Sequence, residues 1–189
     1  MSHFILSDIG RPNLDLLICG YNPGARSAGE GHYFSNKGNR FWWILAETGL
    51  TPKMLEPSLD HTLPCYGIGL TDLLKQSIHG SCTGPTESDR ERLRGVISDW
   101  NPALVAFLGK NPARGFLKRR RLPGGCLMEN VGQSELFMVP DPSGGNGHFG
   151  ILRVHWDELA RRVRSSRENR VGIKAGQSGD ERDRGTRPT

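Results

Sequence analysis

Asp15-Leu16-Leu17-Ile18-Cys19-Gly20-Tyr21-Asn22-Pro23-Gly24 sets a short apolar run directly against turn residues. Leu16 to Cys19, flanked by Asp15 and Gly20, reads as a buried strand. In Gly20 to Gly24, Pro23 fixes the local backbone and Gly24 permits a tight turn. Two further apolar runs repeat the pattern: Ala103 to Leu108, closed by Gly109, and Leu136 to Val139, closed by Pro140. Helices are predicted between and after them. Asn39 to Thr48 carries Phe41, Trp42, Ile44 and Leu45 and stops before a C-cap glycine, Gly49. Glu87 to Trp100 sets Leu93, Val96, Ile97 and Trp100 at helical spacing, and Ile151 to Val163 forms a last helix. Strands alternating with helices predict an α/β fold, a three-layer sandwich with a central mostly parallel sheet flanked by helices.

The chain has 189 residues, enough for one domain with a real core. Residues 1–164 are expected to form it. From Ser165 onward large apolar residues are scarce and charges abundant, so residues 165–189 are expected to be a basic, disordered tail. The net charge of +5 fits a nucleic-acid partner. Arg161 to Thr189 holds eight Arg and one Lys against two Glu and two Asp, which is the whole excess. Any nucleic-acid surface on the body must therefore be a local patch. Lys118-Arg119-Arg120-Arg121 is one candidate, and it reads equally as a solvated loop. Cys19, Cys65, Cys82 and Cys126 form no C-x-x-C pair, so no metal site is signalled and free, mostly buried thiols are expected. No apolar run approaches a membrane span and Met1 to Arg11 lacks a secretory pattern. A monomer in the cytoplasm, with the nucleoid if the source is bacterial, is the expectation, with no membrane partner.

In such sheets, active residues gather beyond the carboxyl ends of the strands. Two polar loops qualify, Gly20 to Gly38 and Pro140 to Gly150. In the first, Asn22 either orients a water or merely completes a turn, and spacing alone favours the turn. Either Tyr33 or Phe34 could stack on a flat ring or anchor the loop, while His32 reads as a solvated loop residue. Asp72 follows the glycine-rich Tyr66 to Thr71. It either polarises water or stabilises a cationic transition state, or else caps a helix, and the cap is the simpler reading. The second loop offers Asp141, Ser143, Gly144, Gly145, Asn146 and His148, which suit a phosphate or a plain surface turn. No P-loop, dinucleotide fingerprint or H-E-x-x-H is present.

Taken together, these segments resemble the uracil-DNA glycosylase superfamily, most closely its mismatch-specific uracil/thymine-DNA glycosylase branch. Gly20-Tyr21-Asn22-Pro23-Gly24 resembles that branch's G-I-N-P-G, and the likeness continues through Ser27-Ala28, Asn39 to Trp42, Gly49-Leu50-Thr51 and Tyr66 to Thr71. Leu108-Gly109-Lys110 and Pro140 to Gly144 complete it, over about residues 14–163. The resemblance implies removal of uracil, or another deaminated base, from DNA by hydrolysis. It implies no cofactor, no metal and no lysine Schiff base. Asn22 would hold the attacking water with Asp72 as the second catalytic group. Phe34 would stack on the flipped base, with Tyr21, Asn39 and Asp141 around it. Ser143, Gly144, Gly145, Asn146 and His148 would meet the DNA.

Four positions depart from the pattern. Tyr21 replaces Ile; Asp141 stands where the bacterial mismatch enzymes have Asn; Asp72 stands where close relatives have Lys or Asn; and Gly145 stands where relatives insert a Leu or Arg wedge. Two carboxylates repel DNA phosphate, so at least one is expected to face the pocket. A DNA-damage-binding member with weakened catalysis and an α/β enzyme of free nucleosides are the alternatives.

Overall fold

The computed structural model describes residues 6–75, 84–144, 150 and 153–180, the last ten as backbone alone. Five strands form one sheet, β1 (Leu16–Gly20), β2 (Ile68–Asp72), β3 (Leu104–Leu108), β4 (Gly125–Val131) and β5 (Ser134–Val139), in the order β2-β1-β3-β5-β4. β2, β1, β3 and β5 run parallel, and β4 closes one edge antiparallel to β5. β1 lies between β2 and β3, so the connections reverse direction there. Such a reversal opens a crevice at the carboxyl ends of the strands.

The helices are α1 (Ala25–Glu30), α2 (Phe41–Glu47), α3 (Glu87–Trp100), α4 (Lys110–Leu117) and α5 (Val154–Asp180), with a 3-10 segment over Pro57–Tyr66. The sheet residues alternate between two cores. Leu16, Ile18, Leu104, Ala106 and Phe137 join Phe41, Ile44, Leu63, Trp156 and Leu159 on one face. Leu17, Cys19, Val105, Phe107 and Leu136 join Leu93, Ile97, Ala113 and Phe116 on the other. Fully apolar β1 and β3 follow, because both faces of a parallel sheet are covered. The expected three layers are present.

Thr86 starts α3 through a capping box with Asp89, whose carboxylate accepts the Thr86 N–H at 2.8 Å. α5 corrects the expected boundary at residue 164. The helix continues through Ser165, and its arginines are tied to the body. Arg167 Nε meets Asp15 Oδ2 at 2.8 Å, Arg170 donates to the Asn13 carbonyl at 3.0 Å, and Arg164 donates to the Thr48 carbonyl at 3.0 Å. Tail composition alone misled because these charges neutralise a carboxylate and satisfy carbonyls that water would otherwise solvate. The cysteines also differ from expectation. Cys19 is buried, but Cys126 is half-buried and Cys65 exposed, while Cys82 lies outside the described residues. No helix among the described residues is long and apolar enough to cross a membrane.

Candidate active site

The site begins where β1 and β2 end side by side, with Gly20 opposite Asp72. A Cβ on Gly20 would stand 2.2 Å from Asp72 Oδ1, so a glycine is what lets this carboxyl occupy the space. Asp72 is only 3 % exposed. It caps no helix, contrary to the simpler sequence reading; it is the last residue of β2. Its Oδ2 is buried with no hydrogen-bond partner among the described residues. Burial pushes its carboxyl up to about 7; Lys75 opposes that rise, Asp8 adds to it, and Arg92 opposes it.

The cations near Asp72 are matched elsewhere. Asp8 pairs with Lys75 Nζ at 2.5 Å and with Arg92 Nη1 at 3.0 Å, and accepts the Thr71 hydroxyl at 2.6 Å. Lys75 also donates to the Tyr33 hydroxyl at 3.0 Å, while Arg92 donates to the Asp72 carbonyl. Asp8, Lys75 and Arg92 surround Asp72 without giving it a hydrogen-bonded counter-ion. Sequence reasoning missed all three, because they sit in segments far apart along the chain.

The first loop is held from below. Buried Asp60 accepts the Tyr33 N–H at 2.9 Å and lies 3.3 Å from His32 Nδ1, so His32 is a loop anchor rather than a merely solvated residue. Tyr33 is buried in the core. Phe34 takes the other role. Its backbone is left-handed, with φ of 54°, and its ring stacks on Phe41 with centroids 3.8 Å apart. Non-glycine residues rarely hold that backbone, and at functional sites it serves to aim a side chain. Here Phe34 lines the cavity while Phe41 backs its ring. Asn39 Oδ1 accepts the Phe41 N–H at 2.9 Å, which leaves its Nδ2 as the group for a ligand. The Asn22 carboxamide has no partner among the described residues and is half-buried on the cavity wall.

The second loop is fastened to the first. Trp156 Nε1 donates to the Pro140 carbonyl at 3.0 Å, and Arg40 N–H donates to the Pro142 carbonyl at 2.9 Å. Asp141 Oδ1 accepts the Ser143 N–H at 2.9 Å, an Asx turn at the exposed rim. A Cβ on Gly144 would lie 2.8 Å from the Gly38 carbonyl oxygen, so the loops meet where neither has a side chain.

One cavity of about 760 Å³ results. Tyr21, Asn22, Phe34, Asn39, Asp72, Asp141 and Ser143 all line it, drawn from both loops and from β2. Gly144 shapes it through the loop contact without lining it. Gly145, Asn146 and His148 lie outside the described residues. Lys110, Asn111 and His155 also line the cavity, and none of them was assigned a role from the sequence. Among the described residues no group of three or more His, Cys, Asp or Glu could hold a metal ion.

The site is a crevice at the reversal point of a parallel α/β sheet, with an aromatic face, two carboxamides and a buried carboxyl on its walls. The model of the uracil DNA glycosylase superfamily matches residues 7–160, and the chain belongs to that superfamily. It is thus a DNA glycosylase, a hydrolase of base-excision repair that acts on DNA. A protein from Methanosarcina acetivorans described as a candidate uracil DNA glycosylase, solved by solution NMR, shares the fold. Its TM-score is 0.61 at 20% identity, over 85% of this chain and 97% of that one.

Proposed function

We propose that the protein flips uracil, and other deaminated bases, out of DNA and hydrolyses the N-glycosidic bond without a covalent intermediate. It stands in this reading with the mismatch-specific branch, whose motif Gly20 to Gly24 resembles. The observation that carries the proposal is the convergence of seven candidate side chains, five of them from the quoted motifs, on one cavity. Phe34 stacks on the extruded base, and Asn39 Nδ2 donates to a base carbonyl. Tyr21 and Asp141 close the base pocket, and Ser143 and Gly144 hold the adjoining phosphate.

The Asn22 carboxamide holds a water in line with the anomeric carbon. The water's oxygen bonds to that carbon as the glycosidic bond breaks, with the bonding pair leaving on the base. Asp72, as carboxylate, stabilises the oxocarbenium-like sugar and takes the water's proton, a task its raised pKa suits. The products are an abasic site and the free base.

The test uses single-stranded, U·A and U·G oligonucleotides followed by alkali. Strand breaks at uracil are expected, and borohydride should trap no protein–DNA adduct. Intact strands from all three substrates would end the uracil reading; retained gel-shift binding would then favour a damage-binding protein. Release of base from free nucleosides alone would favour the nucleoside enzyme. A borohydride adduct would point instead to a lysine nucleophile, with Lys110 on the cavity wall as the first suspect.

A further inference from the structure

The catalytic cavity adjoins a basic groove. Tyr21 and Asn111 line both the cavity and an adjoining recess whose other walls include Arg114, Lys118, Arg119 and Arg120. A third recess follows, walled by Arg114, Arg119, Arg120 and Arg121. The three share walls in succession and lie side by side from the cavity to Arg121, past the carboxyl end of α4.

The charges along this path are not all accounted for internally. Lys118 Nζ pairs with Glu87 at 2.5 Å, and Arg119 pairs with Glu129 at 2.8 Å. A helix C-terminus also favours nearby cations, which suits Arg114 in the last turn of α4. Arg120 and Arg121 have neither explanation. They are exposed, lie past the helix, and have no acidic partner among the described residues. Unmatched cations crowded together repel one another unless an anion comes between them.

We propose that this groove carries the sugar–phosphate backbone of the DNA strand on one side of the extruded nucleotide, with Arg120 and Arg121 as its phosphate contacts. The inference rests on the function proposed above. Tyr21, at the junction, separates the base cavity from the backbone path. The groove makes the enzyme sensitive to how far the strand extends on that side and indifferent to its sequence there.

The test compares wild type with R120Q/R121Q on fluorescent single-stranded DNA containing one uracil or one stable abasic analogue. K53Q/R161Q serves as control, removing the same charge from exposed residues that line neither cavity nor groove. For R120Q/R121Q, Kd should rise roughly 10-fold at moderate salt. The slope of log K against log salt should fall by about 1.4, or about 0.7 for each single-strand phosphate contact. The single-turnover rate at saturating DNA should stay at the wild-type value. Truncating the oligonucleotide from one end, 5′ or 3′, should erase the difference between the proteins, and truncation from the other end should not. Equal losses in both double variants, or a defect independent of length at both ends, would overturn the groove. Binding to the abasic analogue does not depend on base removal. If wild type released no base yet R120Q/R121Q lost affinity, the proposed function would fall and the groove would stand. If wild type excised uracil while both proteins bound alike, the groove alone would fall.

Discussion

The carboxyl ends of β2 and β5 each bring an aspartate to the same cavity, and the two aspartates sit in opposite environments. Asp72 is buried, with one oxygen unpartnered and its carboxyl raised to about 7. Asp141 is exposed and accepts the Ser143 N–H in a turn. Pairs of titratable groups placed in such different surroundings commonly divide the chemical and structural work. An unpartnered buried carboxyl costs stability, and groups perturbed in this way cluster at functional sites. A solvated carboxylate in an Asx turn is ordinary architecture. Under the proposed function, this difference puts proton transfer and charge stabilisation at the end of β2 and the shape of the rim at the end of β5.

The largest effects are expected at Asp72. Asp72→Asn should slow single-turnover uracil release by at least ~100-fold, within the range that general-base groups supply, and Asn22→Ala should slow it by a similar order. The same Asp72 variant should be more stable than wild type above neutral pH. The folded pKa is raised from 3.8 to about 7, so the native state holds this proton over a range in which the unfolded chain has lost it. Stability from that group is full below about pH 4 and is lost as pH rises through 7. The gain on substitution, up to roughly 4 kcal/mol, should show in Tm at pH 8 and vanish near pH 4. A variant less stable than wild type at pH 8 would mean that Asp72 is structurally satisfied.

Gly20→Ala probes the same residue without touching its chemistry. The new Cβ would meet Asp72 Oδ1 at 2.2 Å, so the carboxyl must move. A fall in rate of about 10-fold is expected, as for a misplaced catalytic group, with a destabilisation of ~1–3 kcal/mol from overpacking. Wild-type rates from a folded Gly20→Ala protein would show that the position of Asp72 is unimportant. Asp141→Asn is the mildest change. The amide oxygen can still accept the Ser143 N–H, so stability should change by less than about 1 kcal/mol and the rate by only a few-fold. A loss as large as that of Asp72→Asn would erase the distinction between the two ends.

What the sequence made legible follows from the same physics. β1 and β3 stood out because both faces are covered and every residue is apolar. β2 did not, because Gly69 interrupts it. A Cβ there would lie 2.6 Å from Leu14 Cδ1 and 3.0 Å from the Ile9 carbonyl, since the N-terminal segment crosses against this strand. With Tyr66 to Thr71 read only as a glycine-rich stretch, helix capping was the simpler reading of Asp72. β4 is an edge strand with an irregular register between Cys126 and Asn130 and shows no apolar run to recognise. In α5, Arg164, Arg167 and Arg170 act on Thr48, Asp15 and Asn13, contacts that composition cannot reveal.

The candidate site was readable only as a set. Asn22, Phe34 and Asn39 each allowed an ordinary local role, and Asn39 does in fact serve the start of α2. Their meaning came from motifs in order along the chain, and the fold supplies the reason by bringing both loops to one crevice. Asp8, Lys75, Arg92 and Asp60 carried no local signal, because their partners are remote in sequence.

The most direct measurement is the single-turnover rate of uracil release against pH, for wild type and Asp72→Asn, at saturating DNA. Wild type should rise tenfold per pH unit below the transition and level off near pH 7, as Asp72 ionises. The variant should be slow and flat over the same range. A wild-type rate that falls through pH 7, or a variant with the same profile as wild type, would contradict the role assigned to Asp72.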